Sequence, residues 1–282
     1  MQMIKKWWVD LFEERTTAPW LSRKRELFKE REAEILKISG NGRIFEQLRA
    51  EGNQCGKYLI HLTYFIKQKD FFYIEEELIP MEFELRGLEI INHVKIDQQP
   101  NEELKLKADL FDDRSVDLPR FSYDRLNAVR YADRWWNDYN PQFRVFNDDD
   151  CTNYISQCLF AGGAPMTGAP NRSKGWWYGN NSWSFSWSVA HSLRWHLSGS
   201  RSGLTAKAVE KPEDLLPGDV ICYDFEGDGK WDHNTIVVNK DAAGMPLVNA
   251  HTNNSRNRYW EYKDSAAWTP NCKYKFFRIG PV

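Results

Sequence analysis

The sequence predicts an α+β fold in two parts, a smaller module at residues 1–118 and a larger domain at residues 119–282. In the first part, a charged helical segment is followed by several strand-like runs. In the second part, helical patterns come first and only strand-like runs follow residue 213. Helices that precede an antiparallel sheet pack on one face of it, so both parts fit an α+β plan.

The first module is predicted to be one surface helix followed by an antiparallel meander. Residues 20–38 are strongly charged, with apolar residues on a partial face, and they end at Gly40-Asn41-Gly42. We therefore expect a surface helix that stops at these glycines. Alternating apolar and polar residues separated by turn-like breaks then predict strands at 58–67, 71–77, 81–86 and 88–97. The polar segment 98–119 is a predicted linker.

The larger domain is predicted to open with helices. A helix is expected at 123–139, and a second begins at Cys151, because apolar residues recur at 3, 4, 7 and 8 positions after it. Asp149 or Asp150 can cap this second helix, and Gly162-Gly163 can end it. A long loop at 165–182 precedes a further helix at 183–197. Strands are then expected at 220–223, 233–239, 246–252, 257–262 and 273–279.

The composition excludes several classes of protein. A net charge of −2 over 282 residues gives no reason to expect nucleic-acid binding. No apolar run is long enough for a transmembrane helix, and charged residues interrupt the start of the chain, so we expect no signal peptide. These features leave the compartment open between a cytoplasmic protein, one exported by a non-standard route, and one whose leader is not part of this sequence. Five cysteines at irregular spacing do not suggest a disulfide framework or a zinc site.

Cys151 is the candidate nucleophile. A helix N-terminus has unpaired backbone N–H groups and the positive end of the helix dipole, which favour a thiolate. Asp148, Asp149 and Asp150 precede it, and their charges would raise the pKa of the thiol if they crowded it. Spacing alone also allows a second interpretation, in which Cys151 is a small core residue.

Two histidines are candidates for the base and its partner. The strands that begin at His233 and end at His251 flank a short turn, so they form a predicted hairpin. Such a hairpin would bring His251 close enough to orient the imidazole of His233 by a hydrogen bond. Asn249 and Asn253 are alternatives for this orienting role. A cysteine, a base and an orienting group in this order are the parts of a cysteine hydrolase.

Three segments together resemble a known family. They are DCTNYISQCLFAGG, LLPGDVICYDFEGDGKWDHNTIVV and LVNAHTN. They are similar to the Putative amidase domain family of bacterial papain-like cysteine hydrolases, relatives of the NlpC-type peptidases and the CHAP amidases. The resemblance, over about residues 120–280, implies a papain-like domain that cleaves an amide, most often in cell-wall peptide. It implies Cys151 as nucleophile, His233 as base and His251 at the third polar position.

An unusual density of aromatic residues near the candidate nucleophile predicts a groove for sugar or peptide. The residues expected to bind substrate there are Trp176, Trp177, Trp183, Trp187 and Asn153. Packing in the core is the alternative for these tryptophans. The groove also keeps other functions open: a glycan- or peptide-binding module without turnover, and an acyl transferase or toxin on the same fold.

An acidic, glycine-rich segment has most of the ligand pattern of a calcium loop. Acids occupy positions one, three, five and nine, namely Asp224, Glu226, Asp228 and Asp232. The glutamate expected at position twelve is replaced by Thr235, so the pattern favours an acidic hairpin turn, and a structural calcium site is the alternative. The sequence therefore predicts no cofactor.

Overall fold

The computed structural model describes residues 2–50, 53–96, 121–146 and 149–280. The chain divides into two compact units. The first comprises residues 1–98, 253–255 and 263–266, and the second comprises residues 99–252, 256–262 and 267–282. The predicted boundary at 118/119 and the predicted linker at 98–119 lie outside the described residues.

The described part of the first unit contains two helices and four antiparallel strands in the order β1-β2-β3-β4. The sequence predicts an antiparallel meander here, but the predicted strands at 71–77 and 81–86 are one continuous strand, Phe71–Arg86. Its elements are α1 (Gln2–Phe12), α2 (Pro19–Glu30), β1 (Ala33–Ala50), β2 (Asn53–Gln68), β3 (Phe71–Arg86) and β4 (Glu89–Lys95).

The strand β1 corrects the prediction of a helix at residues 20–38. The helix α2 ends at Glu30, and Gly40-Asn41-Gly42 lies inside β1 instead of stopping a helix. Glu32 has a left-handed backbone angle φ of 56°, which turns the chain out of the helix. A side chain at Gly40 would meet the side chains of Ile60, Leu62 and Phe12, each at 3.1 Å. Gly40 therefore lets neighbouring elements approach the strand closely.

Within its described residues, the second unit contains four α-helices and a sheet with the strand order β11-β10-β9-β8-β12-β7. Its helices are α3 (Arg125–Trp135), α4 (Cys151–Ala161), α5 (Phe185–Ser188) and α6 (Ala190–Gly199). A two-stranded hairpin is formed by β5 (Tyr178–Gly179) and β6 (Ser182–Trp183). The sheet strands are β7 (Ala206–Val209), β8 (Val220–Asp224), β9 (His233–Lys240), β10 (Pro246–Ala250), β11 (Ser255–Tyr259) and β12 (Lys273–Ile279). Both units are thus α+β with antiparallel strands.

The sheet of the second unit is buried on both faces. Alternate residues of β8 and β9 point to opposite sides, as in any strand. Cys222 and Ile236 pack in one core cluster with the apolar residues of α4, and Ile221 and Val237 pack in another cluster with Trp260. The first cluster holds α4 against β9, which places Cys151 at the end of a helix packed on the sheet.

The predicted hairpin of residues 233–251 is confirmed, because β9 and β10 pair antiparallel with Val237 opposite Val248. The predicted helix at 183–197 is two helices, α5 and α6, because Val189 has extended backbone angles (φ −117°, ψ 124°) between them. The predicted loop at 165–182 also contains β5 and the start of β6, joined at Asn180 and Asn181, which have positive φ angles. In the described part of the chain, no helix combines the length and the apolar character needed to span a bilayer.

Candidate active site

The helix α4 begins at Cys151, as the apolar stripe predicts, and Gly162 follows its last residue. The predicted capping by Asp150 is wrong, because its side chain makes no cap hydrogen bond to the helix. The Asp150 carboxylate accepts hydrogen bonds from the backbone N–H of Phe146 at 3.0 Å and from the Asn153 side chain at 2.9 Å. Asp150 thus ties the preceding segment to the first turn of α4.

The Cys151 sulfur is completely buried and has three polar neighbours. Its thiol donates to the Asp149 carboxylate at 3.4 Å, and it contacts the Thr152 hydroxyl at 3.6 Å. The backbone N–H of Asn234 also donates to the sulfur. Asn234 is the second residue of β9, so this bond places the beginning of β9 beside the thiol.

Burial raises the pKa of the Cys151 thiol well above its ordinary value, and the nearby Asp149 carboxylate raises it further. The hydrogen bonds from Thr152 and from the Asn234 backbone act in the opposite direction and lower this pKa. Burial likewise raises the pKa of Asp149 to about 6. Cys151 is therefore a neutral thiol at rest, with donors in place for a thiolate. Asp148 lies outside the described residues.

Thr152 and Asn234 join α4 to β9 directly beside the sulfur. The Asn234 side chain donates a hydrogen bond to the Thr152 hydroxyl at 3.0 Å, and both residues are fully buried. The hydroxyl that contacts Cys151 is thereby fixed in position. Neither residue was predicted to belong to the site. Each directly follows a predicted catalytic residue in the sequence, and this adjacency could have identified them.

His233 begins β9 and precedes the residue whose backbone contacts the sulfur. Its imidazole packs against three rings, those of Tyr223, Phe225 and Tyr262. Within the described residues, its buried Nε2 atom has no hydrogen-bond partner, and no hydrogen bond joins it to Cys151. Burial, with a smaller effect of Arg258, lowers the pKa of His233 to about 3, so its imidazole is neutral.

His251 is bonded differently from the prediction. Its Nδ1 lies 2.8 Å from an Asp150 oxygen and its Nε2 lies 2.7 Å from the carbonyl oxygen of Trp135. Its ring stacks on Tyr154 with 4.0 Å between the ring centroids. Both nitrogens are engaged, so in this structure His251 holds Asp150 and does not orient His233. The catalytic roles of Cys151, His233 and His251 stay predictions.

The two alternatives for the orienting role lie elsewhere. The Asn249 side chain accepts a hydrogen bond from the backbone N–H of Asn257 at 2.9 Å, so it fixes the neighbouring part of β11. Asn253 belongs to the first unit. The orienting role of either residue stays a prediction.

Most of the predicted aromatic groove is core. Trp176 and Trp187 have no solvent exposure, so the prediction that they line a groove is wrong. Trp177 is 4% exposed but lines a cavity together with residues 166–170, 178–180 and 182, and its role in substrate binding stays a prediction. The Asn153 side chain is also inside, where it donates to the Arg144 carbonyl oxygen and accepts from the Trp187 indole. The indole N–H groups of Trp176, Trp177 and Trp187 all have acceptors within the fold, which explains why such large side chains can be buried here.

Trp183 is the one predicted groove residue that remains partly exposed. Its indole lies within 5.3 Å of the Arg144 guanidinium and within 5.2 Å of the Arg172 guanidinium, measured to a ring centroid. The Phe146 ring crosses it edge-on at 5.0 Å. Neither arginine was predicted to belong to the site, because the two are far apart in the sequence and only the fold brings both to Trp183.

The acidic loop brings three of its four predicted ligands together. Asp224, Glu226 and Asp232 each place an oxygen within 4.8 Å of the others. The Asp224 carboxylate already accepts backbone N–H groups at 2.7, 2.8 and 3.1 Å. Asp228 lies outside this group and pairs with Lys230, which corrects its predicted place among the ligands. Calcium binding stays a prediction.

Comparison with known proteins identifies the class. The fold and the site define an α+β domain with a buried thiol at a helix N-terminus. The family described as "Putative amidase domain" matches residues 122–277, more than half of the chain, and the chain belongs to this family. The family's description points to the class of amide hydrolases.

Two relatives come from Bacillus subtilis (strain 168). The chain is 46% identical over 275 residues to the uncharacterized protein YhbB, which covers 92% of this chain and 85% of YhbB. It is 30% identical over 152 residues to the uncharacterized protein YjcM, which covers 51% of this chain and 34% of YjcM. No solved structure matches the chain.

Proposed function

We propose that this protein is a papain-like cysteine amidase in which Cys151 attacks the carbonyl carbon of a peptide amide. The observation that carries the proposal is the pair of hydrogen-bond donors on the Cys151 sulfur, the Thr152 hydroxyl and the Asn234 backbone N–H. Hydrogen bonds to a charged acceptor are about twice as strong as those to a neutral one. These donors therefore stabilise a thiolate more than the resting thiol.

His233 is the base in this proposal. Its low pKa keeps the imidazole neutral, which is the form that can accept a proton. It stands one residue before the backbone N–H that contacts the sulfur. The proton transfer requires the His233 side chain to turn from these aromatic rings towards the thiol. The pair thus starts as thiol and neutral imidazole, and the proton moves when substrate arrives.

The reaction then proceeds in two halves. The Cys151 proton passes to His233 while the sulfur forms a bond to the amide carbon, and the carbonyl oxygen becomes an oxyanion. Backbone N–H groups in the first turn of α4, which have no acceptor within the helix, stabilise that charge. The C–N bond breaks as His233 gives its proton to the leaving amine. Water, deprotonated by His233, attacks the thioester, which releases the acid and restores the thiol.

His251 acts as a positioning residue in this mechanism. It fixes the Asp150 carboxylate, which in turn holds the backbone of Phe146 and the side chain of Asn153. These bonds determine where the first turn of α4 lies. The similarity of the three sequence segments to cell-wall hydrolases supports a bacterial cell-wall peptide as the substrate.

The direct test is the Cys151→Ala variant, assayed on soluble peptidoglycan fragments with mass spectrometry of the products. We expect release of the new amine to be lost, with the unfolding temperature close to that of the wild type. Cys158→Ala is the matched control, because Cys158 is a buried cysteine of the same helix. Turnover that survives in Cys151→Ala contradicts the proposal.

The complete burial of the Cys151 sulfur favours a second candidate, a peptide-binding domain without turnover. In that case the wild type binds fragments saturably and releases no product, and its thiol resists a small alkylating agent at neutral pH. Acyl transfer on the same fold would give a product whose mass includes an acceptor other than water, so the same spectra distinguish it from hydrolysis.

A further inference from the structure

Two arginines share one partly exposed aromatic residue near the candidate nucleophile. Arg144 and Arg172 are exposed, and both guanidinium groups contact Trp183. Arg172 uses its Nε–H to bond the Trp183 carbonyl oxygen at 3.0 Å, which leaves its two terminal nitrogens for another acceptor. Across the described ranges of the chain, neither arginine forms an ion pair with a carboxylate.

This arrangement is held at the end of α4 that carries Cys151. The carbonyl oxygen of Arg144 accepts a hydrogen bond from Asn153 at 2.8 Å. The backbone N–H of Phe146 donates to Asp150, and the Phe146 ring contacts Trp183. Asn153 lies in the first turn of α4 and Asp150 immediately precedes it. The arginine pair is therefore anchored by the same residues that fix the beginning of the catalytic helix.

A cavity opens beside Trp183. It has a volume of about 390 Å³ and is lined by residues 166–170, 177–180 and 182. Tyr178 lines it and stacks with Trp183 across the β5–β6 hairpin, with 6.2 Å between centroids. Its lining mixes apolar residues with Asn180 and Ser182 and includes no charged side chain. This volume lies in the usual range for sites of small ligands.

We infer that Arg144 and Arg172 form a carboxylate subsite, so that the protein prefers peptide amides carrying a free carboxylate near the scissile bond. Both guanidinium groups lie near one indole and carry like charges, so an anion bound beside them lowers their mutual repulsion. A planar guanidinium fork also matches a carboxylate in two parallel hydrogen bonds. The neutral cavity beside it would accept an adjoining uncharged part of the peptide. The inference rests on the proposed amidase function for its link to Cys151.

The test measures hydrolysis of blocked tripeptides in pairs. In each pair, one peptide carries glutamate at a given position and its twin carries glutamine at the same position. We expect at least one glutamate peptide to have a kcat/KM roughly tenfold above its twin, as for a charge-assisted hydrogen bond. The double variant Arg144→Gln, Arg172→Gln should remove this preference by raising KM, with kcat little changed. Arg201→Gln is the control, since Arg201 is an exposed arginine outside the site.

Binding of the same peptides to the Cys151→Ala variant tests the carboxylate subsite independently of catalysis. By calorimetry, this variant should still bind the glutamate peptide more tightly than its glutamine twin, and the two arginine changes should abolish the difference. That result supports the subsite even if no peptide is hydrolysed. Equal binding of every pair, or a preference that survives both arginine changes, overturns the inference.

Discussion

At the scale of single residues, the Cys151 sulfur lies between groups with opposite effects on its charge. Asp149 accepts the thiol proton in a hydrogen bond and stabilises the neutral form. The Thr152 hydroxyl and the Asn234 backbone N–H stabilise the thiolate. The balance favours the thiol because the site is also desolvated. The reactivity of Cys151 therefore depends on whether the Asp149 carboxylate stays beside it.

Replacing Asp149 by Asn should make Cys151 more reactive. The amide removes a negative charge and offers an N–H to the sulfur, so the pKa of the thiol should fall. We expect alkylation of Cys151 at neutral pH to be about threefold to tenfold faster than in the wild type. Peptide mass spectrometry measures the modification at each cysteine, and the rate at Cys158 should not change. A slower or equal rate at Cys151 would show that Asp149 does not restrain it.

The buried neutral His233 should make stability depend on pH. Its pKa is about 3 when folded and 6.5 ordinarily, so between these values the unfolded chain binds a proton that the folded chain does not. Stability therefore falls as the pH falls from 6.5 towards 3, by about 2 kcal/mol at about pH 5 from this group alone.

Asp149 acts in the opposite sense, because its pKa is raised in the folded state and its protonation favours folding. The comparison of His233→Gln with the wild type isolates the histidine. Urea unfolding at several pH values should give a flatter profile for the variant. Parallel profiles between about pH 7 and pH 4 would mean that His233 is not buried as a neutral ring.

At the scale of elements, the joint between α4 and β9 builds the site. It depends on one side-chain hydrogen bond, from Asn234 to Thr152, in a region otherwise packed by apolar residues. A buried bond of this kind fixes the register of the helix on the strand. Both partners lie next to predicted catalytic residues, so the joint controls the distance between the two catalytic segments.

The variant Thr152→Val should impair catalysis more than folding. Valine keeps the shape of threonine but removes the donor to the sulfur and the acceptor for Asn234. We expect kcat to fall roughly tenfold, as for loss of one charge-assisted hydrogen bond. Thr152→Ser, which keeps the hydroxyl, should restore most of the rate. If serine and valine are equally slow, the methyl group and not the hydroxyl matters.

The same elements show how far the sequence leads. The stripe after Cys151 and its glycine stop predict α4, and alternation around a short turn predicts the β9–β10 hairpin, because both signals are local. The sequence did not distinguish the start of β1 from a helix, because Gly40 looks like a helix stop. Its actual role is to leave room for side chains of α1 and β2, which depends on tertiary packing. The bonds of Asp149 and His251 depend on tertiary packing, which spacing does not encode.

At the scale of the molecule, the second unit is tied together by one buried pair. His251, the residue after β10, bonds to Asp150, immediately before α4, and to the carbonyl oxygen of Trp135 at the end of α3. Three elements meet at this imidazole. Both members of the pair are almost completely buried, so removing one leaves the other without its partner in a desolvated place.

His251→Ala should therefore destabilise the protein by about 1 to 3 kcal/mol, the usual cost of leaving a buried polar group without its hydrogen bond. The loss of stacking on Tyr154 adds to this cost. Urea unfolding of His251→Ala, Asp150→Asn and the double variant measures the coupling between the two residues, which we expect to be large. His191→Ala, a half-buried histidine of α6, should cost far less.

The alternative is that His251 acts only as the third catalytic group. In that case His251→Ala would lose turnover while its unfolding free energy matched the wild type. His251 is the residue that positions α4 if His251→Ala lowers both the stability and the turnover. In that case the double variant with Asp150→Asn should lose less unfolding free energy than the sum of the two single variants. Because Cys151 is the next residue after Asp150, a loosened pair moves the nucleophile itself, and rates should fall even at temperatures where the variant remains folded.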